Sequence, residues 1–251
     1  LKKKQIGLVL SGGGARAFAH LGVLKAIEEY QIDIACVAAT SMGAVVGAFW
    51  AKGYSTNDIK TVLETIRIRK FLQWNWSKGI LNQKKIYHLL SNYFPNNSFE
   101  SLKKPLYITC TDIQEGKKVV FSEGELLEPL VGSITVPGLM MPFAWKNNQL
   151  VDGGMLENLP ATVLQGKCDY LIGVHSNPIG KKTVNNLRNS IERAFLIIIA
   201  QNVKQTQTLC DLLIEPKELA DIRFSDFKKI DLIVEIGYQE AKKQLYPLIE
   251  H

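Results

Sequence analysis

The sequence predicts an α/β fold, a three-layer α/β/α sandwich around a mostly parallel sheet. Short apolar runs of strand length alternate with stretches of helical spacing from one end to the other. Residues 5–10, 34–39 and 169–175 are apolar on both faces, as strands covered by helices on two sides must be. The 251 residues are 46% hydrophobic and 22% charged, which is enough to bury a sizeable core. No stretch rich in Gly, Ser or Pro divides the chain and no repeat recurs, so residues 1–251 are expected to form a single domain.

The elements follow in order. Residues 5–10 form a buried strand, and residues 16–30 a helix with Phe18, Leu21, Leu24, Ala26 and Ile27 on its apolar face. Residues 34–39 form a second buried strand, followed by a tight turn and a helix ending near Gly53. Ser55 and Asp58 have capping-box spacing and open the next helix; residues 82–93 form another. Strands 105–113 and 117–122 join through Glu115-Gly116 as a hairpin. A helix over 126–134 leads into an apolar loop, 136–145, punctuated by Pro137, Gly138 and Pro142. A short strand, 149–151, delivers Asp152. A short helix (160–165), a strand (169–175), a long helix (186–208), a last strand (212–214) and a closing helix (231–248) complete the chain.

Composition narrows the function. Cys36, Cys110, Cys168 and Cys210 include no CxxC pair, and no cysteine or histidine pair has metal-type spacing. Free thiols in a reducing compartment are expected, with no zinc. Lys2-Lys3-Lys4 is followed by only five apolar residues before the glycines, too few for a secretory signal. The chain opens at Leu1, which leaves room for an upstream segment. Residues 34–51 carry no charge but hold Ser41 and Gly43 at their middle, so strand, turn and helix fit better than a membrane span. A cytoplasmic protein is expected, with peripheral contact to a membrane. The net charge of +6 suits an approach to anionic surfaces without selecting among them.

Three motifs carry chemistry. Ala39-Thr40-Ser41-Met42-Gly43 sits at a strand-to-helix turn, the layout of a nucleophile elbow. Such a turn demands very small residues two positions either side of the serine; Gly43 meets this, and Ala39 meets it with one methyl more. Val151-Asp152-Gly153-Gly154 supplies a carboxylate at a strand end. Ser11-Gly12-Gly13-Gly14-Ala15-Arg16 leaves backbone N–H groups free at a helix start, where they serve an anion. With Ser41 one strand away, that anion is the oxyanion of an acyl-transfer intermediate, and Arg16 adds a positive charge beside it. Gly12-x-Gly14-x-x-Ala17 also fits a dinucleotide fingerprint, but the second strand ends without the ribose-binding carboxylate. A glycine turn that only lets helix and strand pack closely is the plain alternative.

These residues resemble a known family. Residues 7–16 with His20-Leu21-Gly22-Val23-Leu24 are similar to the opening of bacterial patatin-like phospholipases. The Ala-Thr-Ser-Met-Gly elbow resembles their Gly-x-Ser-x-Gly, and Asp152-Gly153-Gly154 their Asp-Gly-Gly/Ala motif. The segment 133–138 before it, and stretches at 211–216 and 225–238, extend the likeness over nearly the whole chain. The resemblance implies a Ser41–Asp152 dyad acting on a lipid acyl ester. Gly12, Gly13 and Gly14 with Arg16 would form the oxyanion hole, and no metal or organic cofactor would be required. Burial against the apolar loop 139–143 would raise the Asp152 pKa enough for it to act as a base. Ala17 and Ala39 stand where the family pattern has glycine; alanine is the smallest intrusion at each place, so the geometry is expected to survive, though either methyl could narrow the oxyanion pocket and lower the rate.

Other candidates remain open. The order Ser41, Asp152, His175 is also that of a triad esterase, with His175 at a strand end. His20 is expected to be a packing group, and Asp112 a turn residue. Arg67, Arg69, Lys70, Phe71, Trp74 and Trp76 lie in an acid-free basic and aromatic stretch. It suits a membrane interface, the aromatic cap of a helix end or, third, single-stranded nucleic acid. No nucleic acid partner is expected. Residues 194–200 read as a helix buried against the sheet and not as an acyl-binding feature. The competing functional class is a non-catalytic member that binds lipid or a partner through the same pocket.

Overall fold

The computed structural model describes residues 4–65 and 83–249. Strand β1 (Ile6–Leu10) is buried along its whole length and lies near the centre of the sheet. It pairs in parallel with β2 (Ile34–Thr40) on one side and β7 (Tyr170–Val174) on the other; β8 (Leu212–Ile214) extends the β7 edge, also in parallel. On the far side β2 is followed by β3 (Leu106–Asp112), β6 (Asn148–Asp152) and β5 (Phe143–Trp145), and β4 (Lys117–Phe121) makes a hairpin with β3.

The period of two along each strand sorts side chains into two layers. Leu8, Leu10, Val37, Ala39, Ile172 and Val174 face one core. It is covered by α1 (Ala19–Glu29), α2 (Ser41–Lys52), α3 (Thr56–Thr65), α4 (Gln83–Ser91), α5 (Leu127–Ser133) and α7 (Ile230–Ile249). Val9, Cys36, Ala38 and Leu171 face a smaller core, closed by the turn Ala161–Leu164 and by Ile199 and Val203 of α6 (Leu187–Thr206). The arrangement is the expected mixed α/β fold with a mostly parallel sheet between helices.

One irregularity of the sheet positions the site. β2 pairs with β3 as far as Thr40 opposite Thr109, and β6 then takes up the same edge with Asp152 opposite Cys110. The opposite edge of β3 is occupied by β4 from Ile108 to Asp112, so β2 and β6 can only share the remaining one. Ser41 leaves the sheet where β2 stops, and Asp152 ends the strand that replaces it.

Most expected elements form within a residue or two of their predicted ends. Ser55 and Asp58 make the capping box: the Asp58 N–H donates to Ser55 Oγ (3.1 Å) and the Ser55 N–H to Asp58 Oδ2 (3.3 Å). Gly53 stops α2 in the left-handed region at φ 99°, and Gly116 turns the β3–β4 hairpin at φ 64°. Asp112 is the last residue of β3 and serves the turn after it, its Oδ1 accepting from the Gln114 N–H at 3.0 Å. Three expectations differ. The helix over 16–30 begins as a 3-10 turn, Gly14–Phe18, entered through Gly14 in the left-handed region at φ 55°. The apolar loop 136–145 ends in the edge strand β5, which reaches the sheet only by pairing with β6. Residues 194–200 are not simply buried against the sheet: Ile199 joins the smaller core and Leu196 is buried beside the 182–184 segment, while Ile197 and Ile198 are exposed. The stretch carrying Arg67, Arg69, Lys70, Phe71, Trp74 and Trp76 lies outside the described residues.

Candidate active site

The turn at Ser41 is strained, as an elbow must be. Ser41 has φ 54°, a left-handed conformation that costs a β-carbon residue on the order of 1–2 kcal/mol. Its amide donates to Ser133 Oγ (2.7 Å), and the Ser133 hydroxyl donates to the Thr109 carbonyl (2.8 Å), so the turn is held from beneath by β3. Gly43 is obligatory here, since a β-carbon would run into the carbonyls of Leu10 and Ser11. The extra methyl of Ala39 fits because it packs towards Gly47 of α2, where a side chain is missing.

Ser41 Oγ donates to Asp152 Oδ2 across 2.6 Å. The other carboxylate oxygen accepts from the Gly154 N–H at 2.8 Å, which fixes the plane of the group. Gly153 allows this hairpin-like turn because a β-carbon there would strike the Thr109 carbonyl. Both side chains are buried. Burial pushes the Asp152 pKa up to about 6, against the lowering effect of its bonds from Ser41 and Gly154. Above that pH the carboxylate is ionised, and it is a far better base than an exposed aspartate.

The glycine loop approaches from the other side. The Gly12 carbonyl accepts from Ser176 Oγ (2.9 Å) and Asn177 Nδ2 (2.5 Å), both buried at the end of β7. A trans peptide carries C=O and N–H on opposite sides, so this anchoring turns the Gly13 N–H the other way. The Gly13 carbonyl accepts in turn from the Arg16 N–H (3.1 Å), which does the same for the Gly14 N–H. Neither amide has a hydrogen-bond partner among the described residues, and both glycines line the cavity that Ser41 and Asp152 enter. The Gly12 N–H is already taken by the Asn158 carbonyl (3.3 Å), which removes it from the expected set of oxyanion donors.

Arg16 also departs from expectation. Its guanidinium is buried, donates through Nε to the Ile222 carbonyl (2.7 Å) and lies 5.1 Å above the Phe224 ring. Burial lowers its pKa to about 10, which leaves it charged at neutral pH. It is absent from the cavity wall, so its charge reaches the site only at a distance. What it does directly is tie residues 220–224 against the glycine loop, where Phe224 lines the cavity and the Phe224 carbonyl accepts from the Ala15 N–H (2.8 Å).

His175 does not complete a triad. The hydroxyl of Ser41 is directed at Asp152, and the nearest acid to His175 Nε2 is Glu215 at 3.8 Å. His20 Nε2 pairs with the Ser11 carbonyl at 2.7 Å, the packing role expected for it. Burial lowers the pKa of both histidines to about 4, so both are neutral.

The cavity has a volume of about 190 Å³ and is largely apolar. Ile134, Val136 and Leu139 of the loop before β5 form one wall, and Ile191, Phe195 and Ile199 of α6 form another. The α6 wall was missed because helical spacing in 194–200 cannot say which of two apolar surroundings a face meets. Asn158 was missed too. Its side chain is fully buried at the cavity wall, yet neither its amide nitrogen nor its oxygen has a partner among the described residues. Met42 adds a backbone N–H from the first turn of α2, where helix amides lack internal partners. Among the described residues no group of three or more His, Cys, Asp or Glu is placed to hold a metal ion.

The chain is similar to several known proteins. An NTE family protein of Mycobacterium tuberculosis is 33% identical over 185 residues, covering 69% of this chain and 49% of its own length. The lysophospholipase NTE1 of Mycosarcoma maydis is 33% identical over 172 residues, 63% of this chain but 9% of its own. The chain thus spans about half the length of the mycobacterial relative and a small part of the fungal one. VipD from Legionella pneumophila shares the fold, with a TM-score of 0.67 at 15% identity over 97% of this chain and 67% of that one. ExoU, in its complex with SpcU from Pseudomonas aeruginosa, matches with a TM-score of 0.51 at 15% identity over 98% and 52%. The model of the patatin-like phospholipases matches residues 8–164, from the glycine loop through the Asp152 motif, and the chain belongs to that family.

Proposed function

We propose that this chain hydrolyses acyl esters of lipids, of the phospholipid or lysophospholipid type, with Ser41 as nucleophile and Asp152 as base. The observation that carries the reading is the 2.6 Å hydrogen bond between a strained serine hydroxyl and a buried carboxylate, at the wall of an apolar cavity. Ser41 Oγ attacks the ester carbonyl carbon while its proton passes to Asp152 Oδ2. The carbonyl oxygen becomes an oxyanion facing the N–H groups of Gly13 and Gly14, with Met42 as a further donor. Collapse expels the alcohol, which takes the proton from Asp152. Water then attacks the acyl-enzyme, gives its proton to Asp152, and Ser41 regains it as the fatty acid departs.

Relatives bearing the lysophospholipase name support the lipid substrate. Arg67, Arg69, Lys70, Phe71, Trp74 and Trp76 belong to the same reading as a peripheral membrane contact, with tryptophans at headgroup depth and cations on anionic lipid. No helix among the described residues is long and apolar enough to cross a membrane.

A turnover screen across lipid classes with wild type, Ser41→Ala and Asp152→Ala tests the proposal, together with a fluorophosphonate probe. Turnover that vanishes in both variants, and labelling that needs Ser41, are expected. A folded wild type that neither reacts with the probe nor turns over any ester would leave the non-catalytic reading in its place.

A further inference from the structure

The outer face of α6 continues the apolar wall of the cavity onto the protein surface. Leu187, Ile191, Ala194 and Ile198 recur at helical spacings of three and four, and all four are exposed. Leu187 is 69% exposed, and Ile191, at 42%, also lines the cavity. Half of the large apolar side chains exposed among the described residues fall in this region: Ile179, Val184, Leu187, Ile191, Ile197 and Ile198. Scattered exposed apolar residues are ordinary, but a contiguous patch marks a binding surface.

Charge around the patch selects its occupant. Lys181, Lys182, Arg193 and Lys204 lie in the described part of residues 176–206, which hold one acid, Glu192. That acid is turned inward, where it lines the cavity and accepts from the Phe224 N–H. Lys181 and Lys182 are exposed and make no ion pair among the described residues. The segment holding Lys182 and Val184 packs against α6 beside Asn189, Arg193 and Leu196, on the side of the helix opposite the stripe, so cations lie on one side of α6 and the apolar stripe on the other. An amphipathic helix with this division lies in the plane of a bilayer, its apolar stripe among the acyl chains and its cations at anionic headgroups.

We infer that α6 and the segment 179–186 before it form the surface by which this protein docks on an anionic lipid bilayer. In that pose the Ile191 end of the stripe opens from the membrane into the cavity. An acyl chain then passes from bilayer to Phe195 and Ile199 without crossing water. This last step rests on the acyl-hydrolase reading; the docking surface itself does not.

The test is flotation of the full chain with vesicles of phosphatidylcholine, with and without phosphatidylglycerol. It uses wild type, Leu187→Gln/Ile198→Gln, Lys181→Glu/Lys182→Glu and Ser41→Ala. The apolar double variant is expected to bind about tenfold more weakly while its turnover of a soluble short-chain ester is unchanged. The charge-reversal variant is expected to lose the preference for anionic vesicles. Vesicle binding that is unaltered in both variants would overturn the inference. So would a wild type that is dimeric by light scattering and made monomeric by the apolar pair, which would mean that a second copy covers the face. Ser41→Ala separates the two proposals: if it and wild type bind vesicles equally and neither turns over ester, the docking surface stands and the hydrolase reading falls.

Discussion

Ser41 and Asp152 meet on one edge of β3, where β2 stops opposite Thr109 and β6 begins opposite Cys110. A separation of 111 residues in sequence is closed to 2.6 Å by that exchange of strands. The contact between the two side chains is therefore set by the sheet: Asp152 ends a paired strand, and Ser41 follows one directly, its amide held by Ser133. Preorganisation of this kind lets a carboxylate accept a proton without moving.

The proposed mechanism predicts that replacing either member removes turnover. Ser41→Ala and Asp152→Asn should each lower kcat for a soluble ester by about a thousandfold or more, with the fold intact. Far-ultraviolet circular dichroism alongside the kinetics checks this, and residual activity near wild type in Asp152→Asn would show that the base lies elsewhere.

The proposed mechanism also assigns the pH response to Asp152. The base works when ionised, so kcat/KM should climb as pH rises through about 6 and level off above it. Stability runs in the opposite sense. A folded pKa raised above the unfolded value makes Asp152 most favourable below pH 4, and that advantage is lost as pH rises past 6. Asp152→Asn should accordingly be more stable than wild type at pH 8, by up to about 3 kcal/mol, with the difference closing towards pH 4. Thermal unfolding across that range measures it.

Ser176 and Asn177 act through the Gly12 carbonyl that they hold. Ser176→Ala and Asn177→Ala should each lower kcat about tenfold and leave KM nearly unchanged, because a misaimed Gly13 N–H weakens only the interaction made in the transition state. A change confined to KM would speak against an oxyanion role for this loop.

His175 is buried and neutral beside Glu215, outside the cavity wall. His175→Gln should retain most of the activity, where a triad would lose it. The folded-state pKa of about 4 lies below that of the unfolded chain, so the unfolded state binds the extra proton. Wild type is then expected to lose stability as pH falls from about 6.5 towards 4, with His175→Gln showing a shallower loss in urea titrations at neutral and acid pH.

Arg16 gives the clearest case of a residue whose type was legible and whose task was not. Arg16→Met should lower stability by about 2 kcal/mol, because the buried Ile222 carbonyl loses its donor. Turnover should suffer only as far as Phe224 loosens at the cavity wall, which a larger effect on kcat/KM for long-chain than for short-chain esters would reveal.

Local sequence determined much of this protein. Apolar runs of strand length, the Ser55–Asp58 cap, and small residues around Ser41 and Asp152 each act over a few positions, and each is visible without a partner. The elbow needs Gly43 whatever surrounds it, because the clash it avoids is with backbone only. Tertiary structure decided the rest, since those outcomes depend on what arrives from far along the chain. Gly12 N–H is spent on Asn158, and Arg16 is drawn to carbonyls about two hundred positions away. Phe195 and Ile199 face a cavity because the loop before β5 stands opposite them. Helical periodicity tells which residues share a face, but only packing tells whether that face meets a sheet, a cavity or the surface.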